Sequence, residues 1–363
     1  MAFVLASGCR RLAPSGQGAS SKPEMDTAKM NGEYLVSTAT ESYARVSAIL
    51  PTRPSEDVRK LLQRPPLPAR SARDYERDEY LPSEAIEWVV DVDLSAIGAV
   101  GLAIVKCLFI DGWEKGLGNF NVFGRDAGSR KWTYAFAAGG PSSADGLKLA
   151  WDYVNPLYPD TKLATHKVYR ERLLQVRSRL ERLGDVRVTT GVSPEDAEDR
   201  AKYLKRLIGS IYETSCLILK APPGKRFDGK HMWDVMLCLG LHWGDMDLFH
   251  WENESAVGDD HLFSVETSTN PGYFFPEEIA AGRVQVEDLV FTFSIPRSPA
   301  PTLVFDAMSN AVTYCQKRLG GSIQTGDGRP AGLAMERSKI ESTVGLLHSA
   351  GFLPGADEAM TIF

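Results

Sequence analysis

Four of the six histidines, His231, His242, His250 and His261, fall in one short stretch beside Asp245, Asp247, Asp259 and Asp260. Imidazole and carboxylate groups gathered this way are the raw material of a metal centre or of acid–base catalysis. The spacing argues against both. His231 falls at the start of an expected helix, His242 at its end, His250 in a strand and His261 across a loop, and no helical His-x-x-x-His pair occurs. "GWEKGLGNFNVFG" is glycine-rich but has neither a GxxxxGK[ST] pattern nor a strand–GxGxxG–helix setting, so it is not a phosphate loop. "APPGKRFDGK" places Lys225, Arg226 and Lys230 near a helix start, where an anion could be attracted, and a solvated loop is the simpler reading. No Ser/His/Asp or Cys/His set sits on a nucleophile elbow. The residues indicate no enzyme and no cofactor; a metal-dependent enzyme is the lesser alternative.

The elements that would position any site fit two folded units. A chain of 363 residues, 43% hydrophobic, has room for two cores and an arm. Its net charge of −6 argues against a nucleic-acid surface. Five scattered cysteines without a CxxC pair read as reduced, apolar thiols in a reducing compartment. "VLASGC" resembles a lipobox ending at Cys9, yet nothing basic precedes it and the apolar run is short. An ordinary disordered N-terminus is favoured, unless an upstream start supplies the missing part. Leu94–Ile110 is apolar but contains Lys106 and falls short of the about 20 residues of a spanning helix, so it reads as a buried core helix.

Residues 1–83 lack sustained periodicity and read as a disordered arm, with "VSAILPT" and "VRKLLQ" as brief apolar runs. Folded sequence begins with "IEWVVDVDL", whose alternation after Trp88 gives a strand with one more buried face. "GNFNVFGRDAGSRKWTYAF" reads as a hairpin turning at Asp126–Arg130, and "DGLKLAWDYV" as a short helix. Lys167–Leu183 is an amphipathic helix capped by Gly184, followed by the strand "DVRVTT" and by a helix with Ser193 at its N-cap and Pro194 first. After Ser215 come a strand, the helix "DGKHMWDVMLCLGL", the strands "GDMDLFHW", "HLFSVETS" and "DLVFTFSIP", and a long helix ending at Leu319-Gly320-Gly321. Leu183-Gly184 and Leu319-Gly320 stand 136 positions apart, as do Pro194 and Pro330. That shared offset points to an internal duplication.

The order Gly229, Gly244-Asp245-Met246, His250, Leu262-Phe263-Ser264, Pro271-Gly272-x-Phe274 and Gly320-Gly321 resembles the C-terminal, FtsZ-binding domain of the bacterial cell-division protein ZipA. The resemblance covers about Thr214–Leu346, with the first half as a diverged copy. It implies an α+β fold of tandem ZipA-like domains, each an antiparallel sheet with helices packed on one face, after the disordered N-terminal arm. The expected boundaries are 1–83 arm, 84–213 first domain, 214–346 second domain and 347–363 tail. In that family the helix-free sheet face is a shallow apolar trough that receives the FtsZ C-terminal peptide. The resemblance carries the trough onto Thr214, Cys216, Ile218, Met246, Leu248, Thr267, Ser268, Asn270 and Thr292. Only Ile218, Met246 and Leu248 are large and apolar, which favours a weak protein-binding site or a trough repurposed for another partner or for packing within the chain. The implied setting is cytoplasmic, at the division site, with membrane association open but not through a transmembrane helix.

Overall fold

The computed structural model describes Ala44, Val58 and residues 60–67, 79–137, 140–155 and 161–363. The expectations for Cys9, "VSAILPT" and most of the arm lie outside these residues.

The first unit runs β1 (Glu87–Asp93), β2 (Val100–Gly101), α1 (Leu102–Phe109), β3 (Asn121–Asp126), β4 (Trp132–Tyr134), β5 (Ser143–Asp152), α2 (His166–Leu180), β6 (Arg187–Thr190) and α3 (Pro194–Ser210). Its sheet has the order β4-β3-β5-β1-β6, with β2 beside β5. Trp88, Val90 and Val92 of β1 meet Leu147, Leu149 and Trp151 of β5 in the core with Tyr169 and Val176 of α2. Ser193 accepts a hydrogen bond from the Asp196 backbone and Pro194 opens α3, as the capping pattern requires.

Two expectations for this unit are corrected. "DGLKLAWDYV" is not a helix but strand β5, because Leu147, Leu149 and Trp151 alternate with Lys148, Ala150 and Asp152 between two pairing partners. The apolar run Leu94–Ile110 is not one buried helix. Only Leu102–Phe109 is helical, with Leu102, Val105 and Phe109 inward and Ile104 and Ile110 exposed.

The second unit comprises β7 (Thr214–Lys220), β8 (Phe227–Asp228), α4 (Gly229–Leu239), β9 (His242–Trp243), β10 (Phe249–Glu252), β11 (His261–Glu266), α5 (Pro276–Ala280), β12 (Gln285–Val286), β13 (Asp288–Ser294), α6 (Pro301–Leu319), β14 (Ser322–Thr325) and α7 (Leu333–Ser349), and α8 (Asp357–Ile362) closes the chain. The sheet order is β14-β7-β13-β11-β10-β9, all antiparallel. Leu217, Leu219, Phe249, Trp251, Phe263, Val265, Leu289 and Phe291 face Trp233, Met236, Phe305, Met308 and Val312 of the helices. Asp228 caps α4 by accepting from the His231 backbone, and Gly240 ends it in the left-handed conformation.

The two units share a frame: a strand, a helix, a hairpin, a strand, a long helix, an edge strand and a second helix packed on the first. They differ in the hairpin. In the first sheet its leading strand, β3, adjoins the central β5, whereas in the second its trailing strand, β11, adjoins β13. Nor does Pro330 open a helix. It bridges to Gln324, and α7 starts at Leu333. The architecture is therefore two α+β units with a similar element order and differently ordered sheets.

The stretch read as a tail folds back on the first unit. Leu347, Phe352 and Ile362 lie in the first core, and Ser83 donates to Glu358. Within the stretch read as an arm, Val58, Leu61 and Leu62 pack against the helix-side core of the second unit, and Arg64 donates to the Glu252 carbonyl. No helix among the described residues is long and apolar enough to cross a membrane.

Candidate functional site: the helix-free face of the second sheet

Apart from Leu262, beside the register shift opposite Trp251 and Glu252, the residues of this sheet in the helix-side core belong to one parity set, so the opposite set looks away from the helices. The pairing register arranges that opposite set in rows across the strands. One row runs Gln324, Ile218, Val290, Glu266. Leu248 continues it, because Phe249 pairs with Val265 and the preceding residue falls opposite Glu266. The adjacent row is polar: Cys216, Thr292, Ser264, His250 and His242. The face is thus one apolar line, broken by a carboxylate, beside a line of small polar groups.

Met246 stands at the β10 end of the apolar line, 54% exposed, while Leu248 is 9% exposed. Met246 does not belong to the strand, as the sequence suggested. It sits in a tight turn, Asp245–Asp247, where both Met246 and Asp247 take positive φ angles of 55° and 58°. Non-glycine residues adopt that region at a cost of about 1–3 kcal/mol each and only where their surroundings hold them. Five bonds hold this turn: Gly244 donates to the Leu248 carbonyl, Asp247 to that of Gly244, Leu248 to that of Asp245, Phe274 to that of Asp247, and the His250 Nε2 to that of Asp245 at 2.8 Å. With Nε2 donating, Nδ1 accepts from the Ser264 hydroxyl at 2.8 Å. Burial holds the imidazole below its usual titration range, and the His261 ring stacks on it with centroids 3.8 Å apart.

The remaining expected positions divide. Ile218 and Thr292 are half-buried on the face, and Thr214, Ser268 and Asn270 are exposed at its ends. Cys216, 6% exposed, is reduced and covered by its neighbours. Thr267 belongs to the buried layer rather than the surface: it is 4% exposed, and its hydroxyl donates to Asp288. Asp288 also accepts from the Ser268 backbone and hydroxyl and from Lys220 at 3.1 Å. Burial pushes its carboxyl up, and these donors more than reverse that, leaving it below the ordinary value.

Two residues of the apolar row, Val290 and Glu266, were absent from the sequence-based set. Period-two counting finds both, Val290 from Thr292 and Glu266 from Ser264 or Ser268. Glu266 is half-buried, and burial, followed by the nearby Asp288, raises its carboxyl above the usual range. The four clustered histidines do not converge, since His231 and His242 are exposed on separate elements. Among the described residues, no group of three His, Cys, Asp or Glu side chains is placed to share a metal ion.

Residues 214–337 match the family described as ZipA, C-terminal FtsZ-binding domain. The chain is similar to the cell division protein ZipA of Shewanella loihica, 29% identical over 119 residues, which is 33% of this chain and 35% of that protein. It is also similar to the ZipA of Ectopseudomonas mendocina, 27% identical over 131 residues, covering 36% of this chain and 47% of the other. The Marinobacter nauticus ZipA is 26% identical over 104 residues, 29% of this chain and 30% of that one. The chain spans about a third to a half of the length of the Shewanella relatives it matches. The family match falls on the second unit alone, and that unit resembles the non-catalytic FtsZ-binding domain of ZipA cell-division proteins.

Proposed function

We propose that the helix-free face of the second sheet binds an apolar segment of a protein partner, and that the C-terminal tail of FtsZ is that segment, bound during septum assembly. The observation that carries the reading is the exposed Met246 side chain, presented by a braced turn at the end of the Leu248, Val290 and Ile218 line. An extended or helical peptide gains its affinity from a few apolar anchors seated in such a line. The match of residues 214–337 to an FtsZ-binding family supports the choice of partner. The shared frame and the common offset support descent of the first unit from the same ancestor, with its hairpin reordered. A second reading keeps the surface and changes the partner; the small polar positions Thr214, Cys216, Thr292, Ser268 and Asn270 favour it. The described arm residues Val58, Leu61 and Leu62 give packing within the chain no support, because they sit on the helix-side core instead.

The test is titration of the full chain with a fluorescent FtsZ C-terminal tail peptide, repeated with Met246→Asp. Saturable binding lost in the variant supports the proposal, since a charge there opposes apolar docking while the exposed position spares the fold. Absence of binding to the unaltered chain removes FtsZ as the partner.

A further inference from the structure

Resting on that reading, we propose that the segment bound by this face carries a lysine or arginine between its apolar anchors, and that Glu266 is the residue that selects it. In the row Ile218, Val290, Glu266, Leu248 the carboxylate lies between apolar neighbours on both sides. No cation among the described residues answers it; Lys220, two strands over on β7, is held by Asp288 at 3.1 Å and Glu287 at 3.8 Å. Asp288, the charged group that acts on Glu266, has the same sign. His250, in the adjacent row, has its imidazole held below the ordinary titration range by burial.

The surroundings reinforce the sign. Met246, the most exposed apolar group of the line, is flanked in sequence by Asp245 and Asp247, and Glu277 acts on Asp247. The Arg64 guanidinium, the basic group nearest β10 in the described arm, is engaged by the Glu252 carbonyl and Glu254. A purely apolar peptide seated here would strip water from the Glu266 carboxylate without replacing it, which opposes binding. A peptide with a basic side chain at that point would replace the lost water with an ion pair, and an acidic one would meet like charge. The face therefore discriminates among apolar segments by charge as well as by fit.

The experiment uses the full chain and two synthetic peptides with identical leucine and phenylalanine anchors, one with a central lysine and one with a central glutamate. Binding is followed by anisotropy at low salt for the unaltered chain, Glu266→Gln and Glu266→Lys, with thermal melts to verify folding. The lysine peptide is expected to bind the unaltered chain at least tenfold tighter, which is about 1.4 kcal/mol. Glu266→Gln should erase the difference, and Glu266→Lys should reverse it. Binding of both peptides without preference, or a lysine preference that survives Glu266→Lys, overturns the selection by Glu266 and leaves the apolar docking surface standing. Binding of neither peptide, with the FtsZ tail also failing to bind, overturns both.

Discussion

Met246 and Leu248 stand two residues apart, yet a ligand has very different amounts of each left to cover, 54% of the first and 9% of the second. Fully burying such a side chain is worth about 1.5–3 kcal/mol. Covering what remains of Met246 therefore contributes about 0.8–1.6 kcal/mol, and covering what remains of Leu248 about 0.1–0.3 kcal/mol. Met246→Ala should then weaken peptide binding about 4- to 15-fold with little change in melting temperature. Leu248→Ala should do the opposite. Its affinity should stay within about twofold, while the loss of a buried side chain should lower stability by about 2 kcal/mol. Both constants come from the same anisotropy titration, run well below the melting temperature of the weaker variant, beside urea unfolding of each protein. An unchanged dissociation constant for Met246→Ala would refute the assignment of Met246 as an anchor. A larger affinity loss for Leu248→Ala than for Met246→Ala would show that the ligand reorganises the face on binding.

Phe352→Ala removes a ring that is 1% exposed in the first core and should cost about 3–5 kcal/mol in denaturant unfolding, although the residue lies far from that core in sequence. Gly321 has φ 94°, and a Cβ there would collide with the Lys220 carbonyl, so Gly321→Ala should destabilise the second unit by more than about 1 kcal/mol in the same assay. His250 gives a pH dependence. Its folded value lies below the ordinary 6.5, so the unfolded chain takes up the proton first as pH falls. Its contribution is complete above that ordinary value and is lost as pH drops from there through the depressed folded value, with His261, Glu252 and the Asp245 carboxylate as the charged neighbours. Urea midpoints across that window should show the loss, and His250→Gln should flatten the curve.

The capped helices were readable because their signals are local. Ser193-Pro194 and Asp228 before α4 each satisfy exposed backbone donors whatever surrounds them. Strand β5 was not readable in the same way. Leu147, Ala150, Trp151 and Val154 also fit a helical stripe, and only pairing with β1 and β3 decides between the periods. The hairpin reversal leaves no trace at all in the sequence pattern, since either strand of a hairpin can lie inward with the same alternation. On the candidate face, period-two alternation separates Leu248 and His250 on one side of β10 from Phe249 and Trp251 on the other. It failed at Met246, where a left-handed turn breaks the alternation before the strand begins. Thr267, in step with Phe263 and Val265, falls on the buried side, where its hydroxyl meets Asp288, a partner distant in sequence.

The helix-free faces of the two sheets differ: in the second, Leu248 and Val290 are buried at 9% and 6% while Met246 stands 54% exposed at the edge. On the helix-free side of the first sheet Val89, Phe123 and Ala150 form a small apolar cluster, and Tyr80 and Trp132 lie against it. Tyr80 is fixed there by its backbone, which donates to the Trp132 carbonyl at 2.8 Å, while the Trp132 backbone donates to Glu79. Its ring meets Tyr134 at 5.5 Å. The chain thus occupies with its own residues the surface that the second unit leaves accessible at Met246. Tyr80→Ala should uncover Phe123, now 2% exposed, at a cost of about 1–2 kcal/mol, the worth of a partly buried side chain. An apolar dye should bind the variant more strongly than the unaltered chain, and the FtsZ tail peptide should bind both equally, because the second unit is untouched. A dye signal that stays flat in a folded Tyr80→Ala would mean that Tyr80 is not the cover, and that the contrast between the two faces has another origin.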